Sequence, residues 1–282
     1  MPVEARKQTV TAPTAQVQGM NTEVEKAKKL TFSNLVKSNA VQEALMGTLG
    51  DAMHVKTFTA SIISAVNTNR DLQQCDGMSI ISAALLGESL KLSPSPQLGQ
   101  YYMVPFKNTK LGITQATFQI GWKGYYQLAL RSGQYRALEV TPVKDGELVS
   151  YNPFTGECIL EPLNDADREN ATTIGYYAYF ELINGFKKSM YWSKEKMEAH
   201  ALKYSKGYAA KKGYTFWEKD FDAMACKTMY RQLIGKYGIM SIDMQKAFTN
   251  DMTVQPDVTR HDAAEPEEPI YFDAETGEVI DE

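Results

Sequence analysis

The chain has 282 residues, 43% hydrophobic and 11% aromatic, which excludes wholesale disorder and leaves ample length for a packed core. Its formal charge of −4 averages unlike parts: residues 249–282 carry eleven acidic residues and one basic, whereas residues 1–248 carry 29 basic and 23 acidic ones. Within residues 187–236 twelve basic residues stand against five acidic, so a globally acidic chain can still carry a basic groove.

In chain order, residues 1–30 lack aromatics and any sustained period, which predicts a flexible arm that turns helical near 22–30. Helical spacing then begins after Thr31 with Leu35, Val36, Val41, Leu45, Met46 and Leu49. Phe58, Ile62, Ile63 and Val66 form a second stripe, and residues 77–90 a third that Pro94 stops; all three read as packing helices. No apolar run approaches a membrane span and no apolar signal core opens the chain, so a cytoplasmic protein is expected. Cys75, Cys158 and Cys226 have no paired spacing for zinc or redox chemistry and read as small buried thiols.

Residues 97–134 differ in character. Tyr101, Tyr102, Met103 and Val104 form a short strand that Pro105 is expected to end, and residues 116–120 form a second strand after a turn-rich 108–112. Gly121-Trp122-Lys123-Gly124 then leads into residues 125–131, at helical spacing, with Gly133 as the stop. Strands follow at 135–143, 148–151, 157–160 and 172–183, the last with Ile174, Tyr176, Ala178, Phe180 and Leu182 on one face. Asn184-Gly185 is a strong hairpin signal returning residues 186–192 antiparallel. Ser193 is a candidate cap for a helix over 194–204, residues 205–215 a basic loop, 216–237 one long helix, and Ser241 the cap of a short helix to about Phe248. An antiparallel sheet between helical segments predicts an α+β fold. Residues 249–282 are expected to form an acidic disordered tail, in which Ile270, Tyr271 and Phe272 are a candidate partner-docking cluster.

Nucleotide hydrolysis calls for a glycine-rich loop closed by Gly-Lys-Ser/Thr, and the one Gly-Lys pair, Gly235-Lys236, precedes Tyr237. The acids of the core are scattered, with no recognisable metal motif, so a binder is favoured over a nuclease and no cofactor or metal is expected. Lys227 and Arg231, at i and i+4, share one helix face, which read alone is either a solvated face or a phosphate contact. Trp122, Tyr125 and Trp217 suit base stacking and suit core or subunit anchoring about equally.

The segments 97–106, 118–134, 175–186, 200–206 and 217–236 resemble, in order and spacing, the RecT family of phage single-strand annealing proteins, over roughly residues 30–250. The resemblance implies a recombinase, not an enzyme of covalent chemistry, that binds single-stranded DNA and pairs complementary strands without ATP as a ring or helical oligomer. It implies phosphate contacts at Lys123, Arg131, Lys206, Lys227 and Arg231, with Lys107 a weaker candidate. A cognate exonuclease and the host single-strand binding protein are the expected partners of the tail. A metal-dependent nuclease, or a DNA-coating protein without annealing activity, are the competing expectations.

Overall fold

The three apolar stripes at the start become four helices, the first stripe splitting in two, and the first helix packs on each of the other three. These are α1 (Phe32–Val36), α2 (Asn39–Leu49), α3 (Ala52–Thr68) and α4 (Gly77–Ser89). The computed structural model describes residues 31–213, 215–255 and 257, and the compact unit that holds them begins at Thr31. The expected N-terminal arm and the Ile270, Tyr271 and Phe272 cluster lie outside the described residues. Asp51 and Asp76 start α3 and α4 by accepting from the amides of His54 and Ser79. Every residue from Ser79 to Gly87 is buried, as befits a helix apolar on all sides and therefore central.

On α4 lies the hairpin of β1 (Tyr101–Asn108) and β2 (Ile113–Ile120). The Ala116 amide donates to Ser79 Oγ at 2.8 Å, and the Tyr101 and Phe118 rings stack at 5.1 Å. Pro105 does not end β1, contrary to the sequence reading; it pairs with Ala116 in mid-strand. The reason is position: β1 is the edge of its sheet, where a missing N–H leaves no ladder bond unmade.

The sheet region is antiparallel throughout. After α5 (Trp122–Ser132) come β3 (Tyr135–Lys144), β4 (Leu148–Tyr151), β5 (Cys158–Leu160), α6 (Asp165–Asn170), β6 (Thr173–Leu182) and β7 (Lys187–Ser193). Strands β3, β6 and β7 form one sheet with β6 central, and β4 and β5 form a separate pair. Tyr176, Ala178, Phe180 and Leu182 of β6 are buried, as their alternation predicts.

The chain closes with α7 (Lys194–Tyr204), α8 (Lys206–Ala209), α9 (Phe216–Lys219), α10 (Phe221–Tyr237), α11 (Ile242–Asn250) and β8 (Thr253–Val254), so the fold is α+β. Ser193 and Ser241 cap α7 and α11 through their side chains. The single helix expected over 216–237 is broken at Asp220, whose backbone leaves helical geometry while its side chain accepts from the Ala223 amide and restarts the helix. Residues 249–255, which charge counting assigns to the tail, pack on the core: β8 pairs with β2, and Asp251 is buried. Among the described residues no helix is long and apolar enough to cross a membrane.

Candidate nucleic-acid interface

The Gly121-Trp122-Lys123-Gly124 turn sits where β2 becomes α5, and glycine is required there by close approach. A Cβ on Gly121 would lie 2.1 Å from the Gly99 carbonyl oxygen, and one on Gly124 the same distance from that of Gln100. The Gly121 amide donates to Gln100 O at 2.8 Å, which clamps the turn against residues 99–100. No side chain caps α5 and its first turn holds no acid, so its positive end is uncompensated from within the helix.

Trp122, half-buried, stacks nearly parallel on Tyr230 of α10, with centroids 5.8 Å apart and planes at 9°. Lys123 is exposed with its ammonium 5.5 Å from the Trp122 ring. The two line an open cleft of about 440 Å³ with Gln97, Gln100, Gln127 and Glu139. Stackable rings, amides, a cation and the Glu139 carboxylate thus meet in one surface depression. Tyr230 escaped the sequence reading because it sits within a buried helical stripe, and its contact with Trp122 spans 108 positions of chain.

Behind the turn is a buried ionic cluster. Asp251, whose side chain is fully enclosed, accepts from the Ile120 amide at 3.0 Å, from Tyr125 Oη at 3.0 Å and from Arg231 Nη1 at 2.5 Å. Lys227 Nζ stands 3.8 Å away, an ion pair without hydrogen-bond geometry. Arg231 also donates to Tyr125 Oη, and the Phe248 ring lies 5.5 Å from its guanidinium. Burial, and then the Asp251 charge, push the Tyr125 phenol well above its usual pKa. Burial pulls the Lys227 ammonium down, with Asp251 pulling the other way. Burial likewise works against the Arg231 charge, but Tyr125 and Asp251 outweigh it and raise its pKa.

The candidate residues are therefore distributed unevenly. Lys123, Trp122, Tyr125, Lys227 and Arg231 come together where α5 packs on α10, with Lys227 and Arg231 turned toward Asp251. Arg131, about 12 Å along α5 from Lys123, donates to the Leu90, Lys91 and Gln127 carbonyls and so closes the end of α4. Lys107 is exposed in β1, six residues or about 20 Å along the strand from Tyr101. Lys206 is exposed at the start of α8. Tyr125 and Trp217 are in the core, Trp217 against Tyr208 and Phe221, so neither presents a free ring face in this conformation.

Comparison with known proteins agrees with this arrangement of motifs. The model of the RecT family matches residues 56–268. The uncharacterized protein YqaK of Bacillus subtilis (strain 168) is 39% identical over 251 residues, which is 89% of this chain and 79% of that protein. Protein RecT of Escherichia coli (strain K12) is 28% identical over 229 residues, 79% of this chain and 82% of that protein. With three-quarters of its length matched by the family model, the chain belongs to the RecT family.

Proposed function

We propose that this protein binds single-stranded DNA and anneals complementary strands without ATP, many subunits lining one strand as an oligomer. Family membership supports phage-type recombination and single-strand annealing in general. The observation that supports the finer reading is the cleft at the Gly121–Gly124 turn, where Trp122 backed by Tyr230 offers a rigid stacking platform beside Lys123. Stacking tolerates any base because every base has a π-face, and a neighbouring cation fixes the backbone without reading sequence. Lys107 and Lys206, both exposed, are assigned to phosphates further along the strand. Arg131 and Trp217 are assigned to the fold instead, since they are engaged in carbonyl contacts and in packing, and the buried Tyr125 ring is not assigned to base stacking.

Annealing needs no covalent step. The groove holds one strand extended with bases exposed and then favours the paired product, and that difference in affinity adds to base pairing. One unit of this size covers only a few nucleotides, so DNA-dependent assemblies are expected in light scattering. The proposed setting is the bacterial cytoplasm, with the cognate exonuclease and host single-strand binding protein docking at Ile270, Tyr271 and Phe272.

Fluorescence anisotropy on labelled oligonucleotides at several salt concentrations tests the site. Lys123→Ala should flatten the dependence of log K on log salt by about 0.7, the slope of one single-strand phosphate contact. Trp122→Ala should weaken binding by ~1–3 kcal/mol, equally for unrelated sequences. Two variants that bind with the wild-type affinity and slope would move DNA away from this cleft.

A further inference from the structure

The cluster around Asp251 has the chemistry of an anion site that the chain itself fills. Two cations, a phenol and a backbone amide converge on one carboxylate, beside the uncapped start of α5. Such donors at a helix start suit a phosphate oxygen as well as a carboxylate. The exchange conserves charge, because a phosphodiester carries one negative charge, as Asp251 does. Asp251 is the acid that acts on both Lys227 and Arg231.

Its carrier joins the sheet through a very short edge strand. Past α11 the chain makes the two-residue strand β8, whose register with β2 comprises Thr117 with Val254 and Phe118 with Thr253. Met252 takes a left-handed φ of 66° without being glycine, a conformation that persists only where surroundings enforce it. Its amide donates to Phe118 O at 2.8 Å. A short edge strand with a strained residue is the kind of segment that opens locally while the rest of the fold stays intact. Arg231 already has 38% of its side chain exposed, so solvent reaches the cluster from one side.

We propose that Lys227, Arg231, Tyr125 and the Ile120 amide form a phosphate site for single-stranded DNA, closed in the free protein by Asp251 and opened when residues 251–254 lift from β2. This rests on the DNA-binding function proposed above, and gives Lys227 and Arg231 a part in it despite their present engagement. The strap would make binding conditional: a strand must displace an internal competitor before it gains the two cations.

The test uses the full-length chain and labelled oligo(dT). Asp251→Asn keeps the shape but removes the charge and turns one acceptor oxygen into an amide donor, which weakens the lock, so affinity should rise about tenfold or more. The gain should vanish in Arg231→Ala/Asp251→Asn. Unchanged or weaker binding by a folded Asp251→Asn protein would overturn the proposal and leave the cluster a purely structural ion pair. If that variant does not fold, hydrogen exchange on the wild type decides. Oligonucleotide should speed exchange of the Met252, Thr253 and Val254 amides; slowed or unchanged exchange under saturating DNA refutes the strap. A wild type that binds no single strand at all would instead refute the function, and the two failures are thereby distinguishable.

Discussion

Replacing Gly124 by alanine sets two effects of opposite sign against each other. Gly124 lies in the first turn of α5, where alanine gains up to ~1 kcal/mol of helix propensity over glycine. Against this, the new Cβ would stand 2.1 Å from Gln100 O and 2.7 Å from Ile120 Cγ1, whereas real Cβ contacts stay beyond 3.0 Å. The obstacle is backbone, so residues 99–100 must retreat by roughly 1 Å, and overpacking of this kind costs ~1–3 kcal/mol. The retreat also pulls Gln100 O from the Gly121 amide, a further loss of ~1 kcal/mol. Destabilisation by about 1–3 kcal/mol net should lower the melting temperature by roughly 2–12 °C, at ~2–4 °C per kcal/mol for a domain of this size. Gly47→Ala, in the exposed interior of α2 with nothing within 4 Å of the new atom, should instead stabilise by ~0.4–1 kcal/mol. Thermal melts followed by circular dichroism report both. A Gly124→Ala protein that melts at or above the wild type would refute the close approach on which the cleft's shape depends.

Tyr125→Phe removes one of the donors to the enclosed Asp251 carboxylate and should cost ~1–3 kcal/mol in chemical denaturation. Arg131→Ala leaves the Leu90 and Lys91 carbonyls short of a donor, so it should lower stability while the salt slope of DNA binding stays at the wild-type value. His200, packed between Trp192 and Tyr204, has its pKa lowered from 6.5 to about 4 by burial and by nearby Lys203. The unfolded chain therefore takes up the proton first, so stability is full above pH 6.5 and falls as pH drops from about 6.5 toward 4. His200→Gln should flatten that part of the stability–pH curve, and an unaltered curve would place the titrating group elsewhere.

Local signals carried much of the fold. Asn184-Gly185 makes its hairpin with Gly185 at a φ of 87°, Ser193 and Ser241 cap their helices, and the glycine-flanked Trp-Lys sits at a strand-to-helix junction as its spacing implies. What escaped depends on long-range context. Pro105 is tolerated because β1 is an edge, which no local pattern reveals. Lys227 and Arg231 look solvated because they share a face away from an apolar stripe; their partner comes 24 and 20 residues later. Asp251 itself was hidden by averaging, since it opens a stretch whose net charge and prolines describe residues further on. Tyr125 and Trp217 were indistinguishable from surface aromatics for the same reason, burial being a property of the partners and not of the ring.

Strand annealing by the purified full-length protein tests the central claim most directly. Two complementary oligonucleotides, one labelled with a donor and the other with an acceptor fluorophore, are mixed with protein in chelator and without nucleotide, with a parallel reaction in magnesium. Pairing should be much faster than in the protein-free control, with both strands intact in either reaction. Pairing at the protein-free rate despite tight strand binding, or cleavage of the strands once magnesium is supplied, would contradict it.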